Sequence, residues 1–206
     1  MGEIVRGYRA SDYDQCEALV NLAWGFDRIF SPEKLSDLVK LIYTKGSVLG
    51  SNDRLVVEID GQVIGFLFGL NEYSKKPGRN ILFGLSVLWK LLRIRNGKPQ
   101  NKDLLNAIKA HETNRSAVVE RGRSEIVLFV VAKEYQGKGF GQTLWSEFKN
   151  HCIQSGVSSI IVETNKLGAS GFYERIGFKH LEDFDSPLHE FATQGGQACI
   201  YEYQCQ

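Results

Sequence analysis

Cysteine is scarce in this chain and never set at motif spacing. Cys16, Cys152, Cys199 and Cys205 form no CxxC pair and have no partnered histidines. That pattern argues against a zinc site and against a disulfide scaffold, and it leaves free thiols in a reducing cytosol as the expected state. Long apolar runs are missing too. No stretch reaches the roughly 18 residues needed to cross a bilayer, so no membrane span is expected. The opening "MGEIVRGYRA" lacks the apolar core of a signal peptide, and Arg6 stands where a myristoylation signal wants Ser or Thr. There is no internal repeat and no low-complexity tract. A cytoplasmic location follows as the expectation.

What remains is an ordinary globular composition. The 206 residues are 43% apolar and 24% charged, enough to bury a core within one domain spanning 1–206. Net charge is only +1, but it is unevenly spread. Between Lys75 and Arg123 twelve Lys/Arg face three acids, Asp103, Glu112 and Glu120. This basic segment is distinct from its flanks.

The periodicities give a mixed order of elements. "EIVRGYRA" reads as a strand, followed by a helix capped by Ser11 or Asp12 with Cys16, Leu19, Val20 and Ala23 on its apolar face. "SPEKLSDLVKLIY" predicts a second helix, with Ser31 as cap and Pro32 in its first position. "RLVVEID" and "VIGFLFGL" flank Asp60-Gly61, a hairpin turn. The basic segment reads as a helical pair, "NILFGLSVLWKLLRIR" and "NKDLLNAIKAHETN", inserted at about 75–123. "EIVLFVV" (125–131) predicts a central strand buried on both faces. A helix carrying Leu144, Trp145, Phe148 and Cys152, a strand "SSIIVET", a short helix "ASGFYERIGF" and closing strands "FKHLEDF" and "QACIYEYQ" complete the chain. The fold class is α+β: a mixed central sheet flanked by helices, with one helical insertion.

The strongest chemical signal is "VVAKEYQGKGFGQTLW", where Gly137, Gly139 and Gly141 link an apolar strand to a helix. Successive glycines let backbone N–H groups converge on an anion, and the helix start adds its positive dipole end. A P-loop would need GxxxxGK and then Ser or Thr, which the chain lacks. A dinucleotide fingerprint would need Gly at 142, which is Gln142, although Glu163 meets its later acidic condition. The pattern Gln/Arg-x-x-Gly-x-Gly/Ala is met by Gln136 to Gly141.

That loop, then "SSIIVETN", then "FYERIGF" resembles the GNAT superfamily of acyl-CoA-dependent N-acyltransferases over residues 124–180. The resemblance implies the GNAT-like fold and acetyl-CoA as co-substrate, with no metal. Gln136, Gly137, Lys138, Gly139, Phe140, Gly141 and Gln142 would then hold the pyrophosphate of coenzyme A. Phe129, Val130 and Val131 would lie along the pantetheine arm. The family often has Asn seven residues before the Tyr of the short helix; here that position is Lys166, and Asn165 precedes it as the candidate cofactor contact.

Moving an acetyl group from a thioester to an amine needs a proton acceptor for the amine and a proton donor for the leaving thiolate. By resemblance Tyr173 is the acid. Phe172 and Ile176, at i and i+4, are expected to face the core and turn Tyr173 aside. Glu125 is the candidate base, since the histone-acetylating branch of the family carries its Glu in a similar "EIV" strand opening. A relay through ordered water is the alternative. His111, His151, His180 and His189 are further alternatives without motif support, and each reads as a surface residue.

The insertion is expected over or beside the acceptor cleft: as a lid, as a homodimer contact through Leu85, Leu88, Trp89 and Leu92, or as a basic face for an acidic partner. No nucleic-acid reading module accompanies the basic residues, so no nucleic acid is expected. The reading is direct transfer of acetyl from acetyl-CoA to an amine of a small molecule or protein. A non-catalytic acyl-CoA-binding module of the same fold is the alternative.

Overall fold

The computed structural model describes residues 3–75, 77–78, 80–94, 98–165, 168–189 and 197–205. The strands are β1 (Glu3–Gly7), β2 (Asp53–Ile59), β3 (Gln62–Leu70), β4 (Glu125–Val131), β5 (Ser159–Asn165), β6 (Lys179–Phe184) and β7 (Ala198–Gln204). The helices are α1 (Tyr13–Trp24), α2 (Phe26–Ile29), α3 (Glu33–Gly50), α4 (Ile81–Leu92), α5 (Lys98–Val118), α6 (Phe140–Gln154) and α7 (Ser170–Arg175). The seven strands form one sheet in the order β1-β2-β3-β4-β5-β7-β6. Every neighbouring pair is antiparallel except β4 and β5, which run parallel. The fold is α+β with helices on both faces of a mixed sheet, as the pattern of elements indicates.

Two cores lie on opposite faces. Cys16, Val20, Leu35 and Leu38 of α1 and α3 pack on Val56, Phe66, Phe68, Leu128 and Val130. Leu144, Trp145, Phe148 and Cys152 of α6 pack on Leu55, Val57, Ile64, Leu67 and Ile126. The tightest approach is at Gly69, where an added Cβ would stand 2.2 Å from the ring of Phe148. Only a residue without a side chain lets α6 sit that close to β3.

Several local expectations are corrected. Pro32 rather than Ser31 occupies the cap of α3, no side chain caps that helix, and it runs on to Gly50. Burial of Thr44 and Val48 extends it beyond the apolar stripe that ended at Ile42. Asp12 does not cap α1 by hydrogen bonding. Its carboxylate accepts from the Arg9 backbone N–H and is held by two bonds from Arg6, at 2.7 and 2.9 Å. Ala23 is exposed rather than buried.

The correction that matters most concerns β4. It is not buried on both faces: Glu125, Val127, Phe129 and Val131 alternate with buried Ile126, Leu128 and Val130. The register against β3 slips between Phe68↔Leu128 and Gly69↔Ile126, a bulge that leaves Val127 without a partner on β3. On its other edge β4 pairs with β5 only at Glu125↔Ile161 and Ile126↔Val162. Beyond those two pairs the strands part, and the half-exposed side of β4 lines the gap.

Candidate active site

The glycine loop ends the gap on one side. Gly137 and Gly139 have φ of 76° and 95°, the left-handed region that glycine alone occupies without strain, and no heavy atom lies within 4 Å of a Cβ built at either. Gly139 is the residue before the first turn of α6, where backbone N–H groups have no intrahelical acceptor. Phe140 is buried, its ring 5.9 Å from that of Tyr135, and this pins the loop to the core. Gln136 adds a second tie by donating from Nε2 to the Val131 carbonyl at 2.9 Å. Lys138 is exposed, with its ammonium over the Tyr135 ring.

The loop borders a cavity of about 650 Å³, walled by Phe129, Val131, Gln136, Gly137, Gly139, Gly141 and Gln142, but not by the side chains of Lys138 or Phe140, and closed by α7 and its cap through Phe172, Tyr173 and Ile176. Its chemistry suits a long ligand with an anionic part. Open backbone N–H groups stand at the helix start, and an apolar trough runs along β4. A second cavity of about 390 Å³ follows the parting strands. Val130 and Asn165 line this one, along with Ala23, Trp24 and Tyr43 from the helical side. Lys166 lies outside the described residues.

Tyr173 belongs to the walls of both cavities. On α7 and its cap Phe172 and Ile176 pack against the core as expected, but Tyr173 is buried more deeply than either. Phe172 and Ile176 are half-exposed and also line the first cavity. The Phe172 ring meets the Phe129 ring edge-on at 5.5 Å on that wall. Burial, and then the neighbouring Tyr43, push the Tyr173 hydroxyl above the ordinary phenol value. It is therefore protonated throughout the neutral range and equipped to donate.

Glu125 starts β4 but lines neither cavity. Its carboxylate accepts a short bond from the Arg115 guanidinium on α5. Burial raises its pKa above the usual carboxylate range, and the opposing Arg115 charge does not fully reverse this. Arg115 also donates from Nε to Glu163 on β5 at 2.8 Å. Glu163 in turn accepts from His189 Nε2 at 2.8 Å, and His111 Nε2 stands 3.7 Å from the same oxygen. Burial opposes the charge on Glu163, but His189, His111 and Arg115 together hold its carboxyl below the ordinary range. Burial lowers the pKa of His111, which also bonds the Ser186 hydroxyl at 2.9 Å.

Glu163 and His189 line the second cavity. In sequence Glu163 reads only as the acid of a dinucleotide fingerprint, and all four histidines read as surface residues. His111 is buried and His189 half-buried, because α5 and the segment after β6 close over β5 there. The only advance signal was the alternation of β5, which sets Glu163 and Asn165 on one face. Among the described residues no cluster of His, Cys, Asp or Glu is arranged to hold a metal.

Residues 95–185 match the family model for the acetyltransferase (GNAT) domain. Over these residues the chain is similar to the GNAT acetyltransferases. Solved structures share the GNAT fold over the whole length. The PaiA N-acetyltransferase of Thermoplasma acidophilum, in complex with coenzyme A, superposes with a TM-score of 0.58 at 18% identity, covering 99% of both chains. PH1933 of Pyrococcus horikoshii OT3 gives 0.61 at 14% identity and 98% of both. YncA of Salmonella typhimurium, solved with its cofactor acetyl-CoA, gives 0.55 at 14%, covering 100% of this chain and 95% of the other. At such identities the likeness speaks for the GNAT fold. No curated protein matches the chain in sequence.

Proposed function

We propose that this protein transfers an acetyl group from acetyl-CoA to an amine by direct attack, with residues 1–206 acting as one catalytic unit. The observation carrying this reading is the parting of β4 and β5 after two paired residues, with the glycine loop at one side of the gap, Tyr173 in the middle and Glu163–His189 on the far wall. Structural neighbours of the same fold solved with coenzyme A and acetyl-CoA support the donor.

In this scheme the N–H groups from Gly137 to Gln142 hold the pyrophosphate, and Phe129 and Val131 line the pantetheine arm. Val130 and Asn165 border the far end of the same gap. The bulged backbone at Val127 frees N–H groups near the reacting carbonyl, where developing negative charge needs donors. The Tyr173 hydroxyl gives its proton to the departing thiolate. The acceptor enters through the second cavity, past Trp24 and Tyr43.

Of the Glu125–Arg115–Glu163 cluster only Glu163 reaches the wall of that cavity, where its carboxylate favours a cationic ammonium. The amine must lose a proton before it attacks, and the Glu163–His189 pair sits on the cavity wall to take it. Glu125 acts one step back, holding Arg115 against Glu163. Four cysteines outside any disulfide, three of them buried, fit a reducing compartment. Among the described residues no helix is long and apolar enough to cross a membrane.

The test has two arms. Thermal stabilisation by acetyl-CoA and coenzyme A, but not by NAD, is expected from the loop. Release of free coenzyme A thiol across a panel of amines reads turnover. Binding without release from any amine would sink the catalytic reading.

A further inference from the structure

Helix α4 is attached by one side only. Leu91 and Ile94 are buried, and Phe83, Ser86 and Val87 are half-buried toward α3, with the Phe83 ring 3.9 Å from a Cβ built on Gly46. Its other side is apolar and open. Ile81, Leu82, Leu85, Leu88, Trp89 and Leu92 are between 50% and 78% exposed. At 100° per residue these six fall within an arc of about 120°, so they form one continuous face rather than scattered singles. An exposed apolar patch of that extent marks a surface that binds something.

The charge around it narrows what that is. From Lys75 to Lys102 the chain has eight Lys/Arg and no Asp or Glu, although the whole protein is only +1. Lys90 and Arg93 are exposed on α4 and its cap, and the Arg93 guanidinium lies 3.3 Å from the centroid of the Trp89 ring. An indole and a cation together at the border of an apolar face is the arrangement suited to the headgroup level of a bilayer. We propose that α4 lies flat on an anionic lipid surface, its apolar arc among the acyl chains and its cations at the phosphates. A second copy of the chain fits less well. A two-fold contact on this face would bring the same basic segment against itself with no acid within it to pair the charges. At 12 residues the helix is too short to cross, so it lies on the surface.

The purified chain is tested by co-sedimentation with vesicles of phosphatidylcholine alone and of phosphatidylcholine with phosphatidylglycerol. Binding to the anionic vesicles is expected to exceed binding to the neutral ones by about tenfold or more, and to weaken as salt is raised. Trp89 emission is expected to shift to the blue with anionic vesicles only. Leu85→Glu with Trp89→Glu is expected to abolish binding, and Lys90→Glu with Arg93→Glu to weaken it. All four positions are exposed, so circular dichroism is expected to stay unchanged. Equal binding to neutral vesicles, or full binding by both variants, would overturn the proposal. So would a dimer in sedimentation velocity that Leu85→Glu with Trp89→Glu dissolves, which would assign the face to a second copy.

Discussion

Glu163 accepts a hydrogen bond from His189 at 2.8 Å on the wall of the gap between β4 and β5. The two residues are 26 positions apart and come from different elements, a strand and the segment after β6. Glu163→Gln and His189→Gln are each expected to lower kcat by about a hundredfold or more. Steady-state rates across pH decide between the two carboxylates. Glu163→Gln should lower kcat far more than Glu125→Gln at every pH. The reverse outcome would return the base role to Glu125, whose pKa burial raises.

Tyr173→Phe should reduce kcat by about a hundredfold while the KM for acetyl-CoA hardly moves, because only the proton donor is removed. Burial raises the pKa of this hydroxyl, so Tyr173 loses no proton until well above the ordinary phenol range. Wild-type activity should therefore show no alkaline loss owed to this residue at neutral or mildly basic pH. Turnover unchanged by the substitution would remove Tyr173 from the chemistry.

Gly139→Ala places a side chain on a backbone at φ 95°, where open space cannot relieve the strain. The expected cost is about 1–2 kcal/mol if the loop keeps its shape. Calorimetric titration should show weaker coenzyme A binding than wild type if the loop moves to relieve it. Wild-type affinity together with wild-type melting temperature would mean that the loop geometry is unimportant.

Gly69→Ala is expected to destabilise by about 1–3 kcal/mol, since its Cβ would stand 2.2 Å from the Phe148 ring. Phe148→Leu alone costs packing, but in combination with Gly69→Ala it should recover part of the loss. Strict additivity in urea melts would show that the two sites do not collide.

Asp12→Asn should cost roughly 3 kcal/mol at neutral pH, because it removes one member of a nearly buried pair with Arg6. The bond from Arg6 leads the effects that lower the Asp12 pKa in the folded state, and burial opposes them. Its contribution is therefore complete above the unfolded carboxylate value and lost as pH falls through the depressed one. The melting-temperature gap between wild type and variant should hold from pH 7 to about 5, begin to narrow near the ordinary carboxylate value of about 4, and close only below the depressed one. A gap that persists in acid would mean the charge is not its source.

The glycine loop was legible because a run of glycines at a strand–helix junction has few other uses, and the "FYERIGF" helix narrowed its meaning. The Asp60-Gly61 hairpin turn was legible for a related reason: Asp60 and Gly61 take φ of 50° and 83°, as the tight turn demands. Burial was read less well. Alternation on β4 was hidden because Val127, Phe129 and Val131 are as apolar as their buried neighbours, and only the departure of β5 leaves them half-exposed. That Tyr173 is buried more deeply than Phe172 was hidden for a similar reason. A helix of six residues can seat either ring, and its neighbours choose.

By itself the sequence determined the order of elements, the glycine loop and the apolar, basic character of α4, because each depends on residues adjacent in the chain or one helical turn apart. Only the tertiary structure decided which charged groups meet. Arg115 from the insertion, Glu125 and Glu163 from parallel strands and His189 from the segment after β6 form one network across 75 residues of chain. No local periodicity records such a meeting. A charged side chain at a strand end looks like any solvated one until folding removes its water and leaves another charge as its partner.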